Sequence, residues 1–306
     1  MKPTIIIAAA NGFIGKTLIN YLSSSYRIIA LVRKPKQSTE NVRFLIWDGK
    51  TVGDWSHEFE GALAVINLAG KSVNCRYNEK NKAAIFASRL ESTSVIGEAI
   101  NLCTNKPKVW INAASATIYA HSEKHPNTEE NGTIGAGFSV EVCQQWEACF
   151  KSYKQTAVRQ IILRTAIVLG KDGGVIVPFK RLAKLGFGGK MGNGKQIFSW
   201  IHEEDVCRVV KFFIENGQTE GIYNLSAPNP VTNAQFMKTL RKTLHIPFGI
   251  PQPKGLLRLG ALLIGTETEL IFKSRFVLPE RLLKAGFEFR CKTIDECMNN
   301  ILTKAD

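Results

Sequence analysis

The sequence has few acidic residues. It contains 26 Asp and Glu against 40 Lys and Arg in 306 residues, so its formal net charge is +14 and its pI is near 9.5. An excess of this size favours an anionic partner. The bases are spread along the whole chain, with no block of five or more, so no basic stripe for nucleic acid is indicated. We therefore expect a phosphate-bearing small molecule and no nucleic-acid partner.

Cysteine pairs with metal-ligand spacing are also lacking. The chain has seven cysteines, an odd number, with no Cys-x-x-Cys pair and no Cys/His cluster of zinc spacing. The sequence therefore predicts no metal site. Scattered cysteines of this kind are typical of free thiols in a reducing compartment, so we expect a cytoplasmic protein.

Long apolar runs are missing as well. Residues 5–10 are apolar but run directly into a glycine-containing turn with no cleavage-like site, so no signal peptide is predicted. Residues 256–272 are apolar but include Arg258, Glu267 and Glu269, which makes the stretch too short and too charged to span a bilayer. We expect no membrane partner.

The order of apolar segments indicates the fold class. A chain of this length, with 44% hydrophobic and 22% charged residues, predicts about two globular domains. In the first half, buried-strand patterns alternate with helical patterns, and this predicts an α/β fold with a Rossmann-type doubly wound parallel sheet. The predicted strands are 4–9, 28–32, 43–46, 64–67, 109–113 and 160–163, and the predicted helices are 15–23, 81–102 and 140–152.

The pattern changes after Leu169. Residues 170–194 are rich in glycine, residues 205–215 are helical, and several prolines interrupt the chain from residue 228 to residue 253. The sequence therefore predicts a Rossmann domain over residues 1–169, with 197–225 packing back onto it. The remainder, 170–306, is predicted to form a smaller α/β substrate region.

The turn after the first strand has the features of a dinucleotide site. Gly12 and Gly15 fill the second and third places of a Gly-x-x-Gly-x-x-Gly pattern, and Ala9 takes the first. Small residues let the backbone approach a pyrophosphate, which the N–H groups of the following helix then face. Any strand-to-helix turn can carry two glycines, but the context favours a cofactor site. The predicted contacts are Ala9, Asn11, Gly12, Phe13, Ile14 and Gly15.

The end of the second strand indicates which dinucleotide is bound. The strand runs into Arg33, Lys34, Pro35 and Lys36, where an NAD site usually has an acidic residue for the ribose 2′-hydroxyl. A basic end suits a 2′-phosphate, because Arg offers a forked, charged contact. We therefore predict NADP as the cofactor, with Arg33 and Lys34 as contacts. The alternative is a solvated basic turn.

Segments along nearly the whole chain carry a family resemblance. Residues 67–70, 114–119 and 199–206 resemble the extended short-chain dehydrogenase/reductase superfamily, in its nucleotide-sugar epimerase group. Residues 86–89, 146–147, 163–170 and the tail from Asn233 are similar to its "epimerase family protein" branch, which has a distinctive C-terminal segment.

This resemblance implies NADP as the cofactor and assigns roles to particular residues. It implies that Ser115 is the catalytic serine and that a homodimer forms through paired helices. A solvated or ion-paired arginine is the alternative for Arg89. The implied cofactor contacts are Arg33, Leu68, Ala69, Arg89 and Val168, to which Asp48 and Gly70 are added.

The acid–base pair of that superfamily is absent. Its chemistry uses Tyr-x-x-x-Lys, in which the lysine lowers the pKa of the tyrosine. None of the six tyrosines here is followed four residues later by lysine. The matching pair is Cys143 and Glu147, and a carboxylate raises the pKa of a nearby thiol. Two alternatives remain for Cys143. It is a reactive thiol, or it is an unreactive thiol packed in the interior, as is usual for a cysteine beside a carboxylate.

Two functions remain open. In the first, the protein is an NADP-dependent oxidoreductase or nucleotide-sugar-epimerase-like enzyme acting on a small polar substrate. Ser115 then positions a carbonyl or alcohol and Tyr119 supplies the proton, with a packed aromatic as the alternative for Tyr119. In the second, the chain is a catalytically silent NADP(H)-binding sensor or interaction protein.

Two other motifs have structural explanations. Residues 189–195 are similar to a phosphate-binding P-loop, but Gln196 stands where Ser or Thr belongs, and a strand-like segment follows. His202 and Asp205 are expected to fix the second region onto the first through hydrogen bonds.

Overall fold

Apolar strands of the first half build one central sheet. The structure, a computed structural model, describes residues 2–257 and 273–303. The central sheet has seven strands in the order β11-β6-β5-β4-β1-β2-β3, and every neighbouring pair is parallel. The strands are β1 (Thr4–Ala8), β2 (Arg27–Val32), β3 (Val42–Ile46), β4 (Ala64–Asn67), β5 (Val109–Ser115), β6 (Arg159–Thr165), β7 (Ile167–Gly170), β8 (Gly173–Gly174), β9 (Ile197–Phe198), β10 (Trp200–His202), β11 (Gly221–Leu225) and β12 (Val231–Thr232).

Helices cover both faces of this sheet. One face is buried under α1 and α5, and the other under α2 and α3, so each face has its own apolar core. A parallel sheet needs both faces covered, which explains why its strands are almost continuously apolar. The helices are α1 (Phe13–Leu22), α2 (Glu79–Leu102), α3 (Phe138–Ser152), α4 (Ile176–Leu182), α5 (Glu203–Glu215), α6 (Asn233–Thr243), α7 (Glu280–Lys284) and α8 (Ile294–Thr303).

The predicted Rossmann-type doubly wound sheet is confirmed. All six strands predicted in the first half are present, with ends shifted by no more than two residues. A seventh, β11, comes from the second half and pairs with β6. The helix before it, α5, packs against α1.

A third apolar core lies in the second half of the chain. It joins residues of α4, α6 and α8 with the two small sheets, ordered β10-β7-β8 and β12-β9. Residues 189–195 form turns and lead into β9, so no helix follows them as a P-loop requires.

Among the described residues, no helix is long and apolar enough to cross a membrane. The apolar stretch predicted over 256–272 lies outside the described residues from Arg258 onward.

Candidate functional site

The turn between β1 and α1 lies at the carboxyl edge of the sheet. Ala9, in the first glycine place, has a left-handed backbone with a φ of 57°. This conformation costs an alanine on the order of 1 kcal/mol, whereas glycine adopts it freely. The Gly12 N–H donates to the Ala9 carbonyl at 3.2 Å, and the Ala10 N–H donates to the Leu31 carbonyl on β2 at 3.3 Å. The turn thus has the backbone of a glycine-first turn although the glycine is replaced.

The two glycines of the turn are needed for different reasons. A Cβ on Gly15 would lie 2.7 Å from the Ala10 carbonyl oxygen, so Gly15 allows α1 to pack closely on β1. A Cβ on Gly12 would meet no protein atom nearer than 3.7 Å. A Cβ would therefore fit at Gly12 without a clash, so protein packing does not require glycine there, whereas the close backbone approach of a pyrophosphate would.

The helix α1 begins directly after Gly12. Gly12 is the N-cap residue and has no side chain to accept from the first N–H groups of the helix, which remain available to an anion. The ring of Phe13 packs elsewhere, because a Cβ on Gly170 or Gly173 would lie 2.4 or 2.3 Å from it. Phe13 thereby joins the turn to β7 and β8, and β7 carries Val168, another predicted contact.

The basic end of β2 is open to solvent beside this turn. Arg33 and Lys34 follow the last residue of β2 and are exposed. Asp48, after β3, is also exposed, but its carboxylate closes its own turn: it accepts from the Lys50 N–H at 2.8 Å and the Thr51 N–H at 2.9 Å. Hydrogen bonds from Thr51 lower the pKa of Asp48 to about 2. Arg33 and Lys34 are therefore accessible to an anion, whereas the Asp48 carboxylate already accepts hydrogen bonds from its own turn.

The segment after β4 is held against the first turn. The Leu68 N–H donates to the Ala8 carbonyl at 3.3 Å, which brings residues 68–70 alongside the end of β1. Buried Asn67 accepts from the Ala69 N–H at 3.0 Å and donates to Asn112 at 2.8 Å. These contacts gather the predicted cofactor positions of the first turn and of residues 68–70 at one edge.

Arg89 on α2 contacts the segment that follows β4. Its guanidinium donates to the carbonyls of Lys71 at 3.1 Å and Ile85 at 3.0 Å, and lies 5.1 Å from the centre of the Trp146 ring. A Cβ on Gly70 would come within 3.2 Å of it. Burial lowers the pKa of Arg89 from its ordinary value. Arg89 is half-buried, and its guanidinium is directed to backbone carbonyls and lies beside the segment of residues 68–70.

Ser115 ends β5 and caps a short 3₁₀ turn over residues 116–118. Its hydroxyl donates to the Thr117 Oγ1 at 2.9 Å and accepts from the Thr117 N–H at 3.2 Å. A hydroxyl can accept twice, so one lone pair is left. Ser115 as placed can accept a hydrogen bond from a substrate hydroxyl.

Tyr119 lies inside the protein. Its side chain is fully buried, and its hydroxyl is 2.8 Å from the Asn224 Oδ1 and 3.1 Å from the Thr128 carbonyl, both as acceptors. Arg164 donates to the same hydroxyl at 3.0 Å. Burial raises the pKa of Tyr119, against the opposing charge of Arg164. This geometry favours the packed-aromatic alternative over a proton donor.

Of the two residues that correspond by resemblance to the Tyr and Lys, Glu147 is held in an ion pair and Cys143 is a buried free thiol. Glu147 is buried and forms a bidentate ion pair with Arg164, with both N–O distances at 2.8 Å. Burial acts to lower the pKa of Arg164, but the hydrogen bonds and charge of Glu147 outweigh it and the pKa is raised. Burial, and then the Glu147 charge, raises the pKa of Cys143 to about 11. Cys143 therefore stays a neutral thiol near pH 7.

The sequence did not identify Arg164 as the partner of Glu147. The available signal was a charged residue inside a continuous buried strand, because a buried charge requires a partner. Asn224 on β11 carries the same signal, since it is buried and reaches the carbonyl of Leu278 at 3.0 Å as well as Tyr119.

His202 and Asp205 have the structural role expected of them. Buried Asp205 on α5 accepts from the backbone N–H groups of Arg290 at 2.8 Å and Cys291 at 3.0 Å. The His202 ring accepts from the Glu204 N–H and lies 3.1 Å from Asn300 on α8. These contacts tie the C-terminal segment to the helix that packs on α1. Within the described ranges, no three His, Cys, Asp or Glu side chains are grouped as metal ligands.

Comparisons with known proteins give matches along nearly the whole chain. The model of the NAD dependent epimerase/dehydratase family matches residues 5–226, and a domain of unknown function (DUF1731) matches residues 252–301. An epimerase family protein of Staphylococcus epidermidis is 30% identical over 97% of this chain and 98% of its own length. The chloroplastic epimerase family protein SDR39U1 homolog of Arabidopsis thaliana is 30% identical over 98% of this chain and 86% of its own.

A solved structure is similar over the same extent. The crystal structure of human epimerase family protein SDR39U1 (isoform 2) with NADPH superposes with a TM-score of 0.88 at 25% identity. The similarity covers 99% of this chain and 100% of that one.

Proposed function

This chain belongs to the NAD dependent epimerase/dehydratase family, and from that premise we propose that it binds NADP(H) at the carboxyl edge of its central sheet. The observation that carries the proposal is the turn at Gly12: a Cβ there would clash with no protein atom, the nearest being the Ala9 carbonyl oxygen at 3.7 Å, and the first N–H groups of α1 have no side-chain cap. Exposed Arg33 and Lys34 lie at the end of the neighbouring strand. The similar human protein was crystallised with NADPH.

Each part of the edge has a distinct role in binding. The N–H groups at the start of α1 bind the pyrophosphate, and Arg33 with Lys34 bind the ribose 2′-phosphate. The backbone of residues 68–70 lies along the cofactor, and Arg89 holds that backbone in place through the Lys71 carbonyl. Asn11, Ile14 and Val168 remain predicted contacts, as does Asp48.

The proposed activity is an oxidoreductase or epimerase-like reaction on a small polar substrate. A bound nicotinamide cofactor supplies or accepts a hydride. We assign Ser115 to the substrate oxygen: its remaining lone pair accepts from a substrate hydroxyl, while Thr117 fixes the direction of its side chain. Tyr119 is buried, so its role in this proposal is to hold the 3₁₀ turn below Ser115.

A specific observation supports the second candidate, a catalytically silent NADP(H)-binding protein. The groups that could move a proton at the place of the Tyr and Lys are all engaged or neutral. Glu147 is paired with Arg164, and the raised pKa keeps the Cys143 thiol protonated. A cytoplasmic location and a homodimer stay predictions.

Turnover separates the two candidates. Protein loaded with NADPH is mixed with a panel of carbonyl compounds and nucleotide sugars, and the loss of NADPH absorbance is followed for the wild type and for Ser115→Ala. The enzyme proposal predicts at least one substrate that oxidises NADPH, with turnover reduced in Ser115→Ala and NADPH affinity unchanged. Tight NADPH binding with no oxidation by any member of the panel supports the silent binder.

A further inference from the structure

Two segments of the second half lack acidic residues entirely. Residues 173–202 and 221–257 contain no Asp or Glu, and carry five and four Lys or Arg residues respectively. Most of these bases are exposed, and no carboxylate of their own segments neutralises them. Such a surface attracts anions. The exposed bases are Arg181, Lys184, Lys190, Lys195, Lys238, Lys242 and Lys254.

Large apolar side chains are exposed in the same two segments. Leu185 is 72% exposed and Phe248 is 66% exposed, and Phe187 and Ile250 are exposed as well. Exposed apolar side chains gathered in one place mark an interaction surface, whereas single ones need no explanation. We call Leu185, Phe187, Phe248 and Ile250 the apolar patch.

Backbone pairing places the two segments that carry the apolar patch side by side. The Ile250 N–H donates to the Gly186 carbonyl at 2.8 Å, and the Gly189 N–H donates to the Ile250 carbonyl at 3.2 Å. The two segments, residues 184–190 and 248–254, are in close contact, because a Cβ on Gly249 would lie 2.6 Å from the backbone of Gly188. Arg241 donates to the Gly188 carbonyl at 2.5 Å.

Lysines flank the apolar patch in both segments. Lys184 directly precedes Leu185. Lys190 lies at the other end of the same segment, and its carbonyl accepts from the Gln252 N–H at 2.9 Å. Lys254 lies two residues after Gln252 in the second segment. The surface therefore combines four apolar side chains with a rim of cations and has no acidic residue in either segment.

We propose that the apolar patch and its lysine rim bind the surface of an anionic phospholipid bilayer. Membrane-surface binding combines apolar side chains at the boundary of headgroups and acyl chains with lysines that contact anionic headgroups. All four side chains can enter the boundary of headgroups and acyl chains, whereas only Phe187 and Phe248 offer a ring for base stacking, and this favours lipid over nucleic acid. The proposal revises the sequence-based expectation of no membrane partner and is independent of the proposed cofactor.

Co-sedimentation of the full chain with vesicles tests this assignment. The vesicles are phosphatidylcholine alone, or phosphatidylcholine with phosphatidylserine. One double variant, Leu185→Ser with Phe248→Ser, reduces the apolar patch. A second, Lys184→Glu with Lys254→Glu, reverses two charges of its rim. The matched control, Lys108→Glu with Lys124→Glu, makes the same charge change at exposed lysines of the first half.

The proposal predicts binding to the anionic vesicles only, weakened by salt. Each patch variant lowers the bound fraction at least about tenfold, and the control leaves it within about twofold. The proposal is overturned by absent binding, by equal binding to neutral vesicles, or by patch variants that bind like the control. It is also overturned if light scattering shows a dimer that the Leu185→Ser with Phe248→Ser variant dissociates. A further contradicting result is RNA that displaces the protein from the vesicles while the Leu185→Ser with Phe248→Ser variant binds the vesicles like the wild type.

Discussion

Arg164 and Glu147 form a bidentate ion pair in the interior, with Nε–Oε1 and Nη2–Oε2 distances that are both 2.8 Å. The third guanidinium nitrogen donates to the Tyr119 hydroxyl at 3.0 Å. By the resemblance, Glu147 corresponds to the lysine of the superfamily's acid–base pair, and here that position holds a carboxylate bound by a buried arginine. Glu147, Arg164 and Tyr119 thus form one hydrogen-bonded unit.

Removing one partner of this pair is expected to destabilise the protein. Glu147→Gln leaves the Arg164 charge buried without its counter-charge, which costs about 3–5 kcal/mol of unfolding free energy. Urea unfolding measures the loss. The matched control is Glu141→Gln, an exposed residue on the same helix, which should change the value by no more than about 0.5 kcal/mol. Equal effects of the two variants would show that the pair adds nothing to stability.

The two glycines of the first turn should separate folding from binding. Gly15→Ala forces a Cβ to within 2.7 Å of the Ala10 carbonyl oxygen and should lower the unfolding free energy by about 1–3 kcal/mol. Gly12→Ala meets no such contact and should leave stability nearly unchanged while NADPH affinity falls at least about tenfold. Thermal unfolding and NADPH titration are measured on both. If Gly12→Ala binds NADPH like the wild type, the pyrophosphate is not bound at this turn.

Ala9 offers a stabilising substitution. Its φ of 57° is costly for alanine, so Ala9→Gly should raise the unfolding free energy, by at most about 1 kcal/mol once the greater freedom of glycine in the unfolded chain is deducted. Ala8→Gly is the matched control: Ala8 lies buried in β1, where glycine should lower stability by about 0.5–1 kcal/mol. A loss of stability in both variants would contradict the strained backbone at Ala9.

The Cys143 thiol should resist alkylation in the folded protein. Burial and then Glu147 raise its pKa from 9.0 to about 11. Its contribution to stability is therefore complete below pH 9, where both states hold the proton, and is lost as the pH rises through about 11. At pH 8 we expect iodoacetamide to modify half-buried Cys75 and to leave Cys143 intact until urea is added, as peptide mass spectrometry would show. Equal labelling of both thiols in the native protein would refute their different environments.

The first half of the fold is readable from the sequence because each strand is a short apolar run with a clear turn after it. The prediction for β4, residues 64–67, has the observed bounds. The strand β11 is harder to predict from the sequence, because Asn224 interrupts its apolar residues. Only the tertiary structure explains this polar residue, because its side chain contacts Tyr119 and the Leu278 carbonyl.

The proposed cofactor edge rests on local signals, whereas the interior of the site does not. Small residues at Gly12 and Gly15 and bases at Arg33 and Lys34 are visible in the sequence, and the structure places them at the carboxyl ends of neighbouring strands. The pairing of Glu147 with Arg164 depends on how α3 lies on β6, which local periodicity does not encode. Burial of Tyr119 depends on Asn224 of β11, 105 residues further along the chain, and on the Thr128 carbonyl, which lies outside any helix or strand.

Arg33 is proposed to give the NADP(H) site its selectivity for the 2′-phosphate. The most direct test of this proposal is titration of the purified chain with NADPH and with NADH, for the wild type and for Arg33→Asp. Lys108→Asp is the control, because this exposed lysine lies at the amino end of β5, at the opposite edge of the sheet.

A charged contact to the 2′-phosphate predicts that the wild type and Lys108→Asp bind NADPH about 10- to 100-fold more tightly than NADH. Arg33→Asp should lose this preference and keep its weaker affinity for NADH. Failure of the wild type to bind either nucleotide would contradict the account, and so would an Arg33→Asp protein that still prefers NADPH.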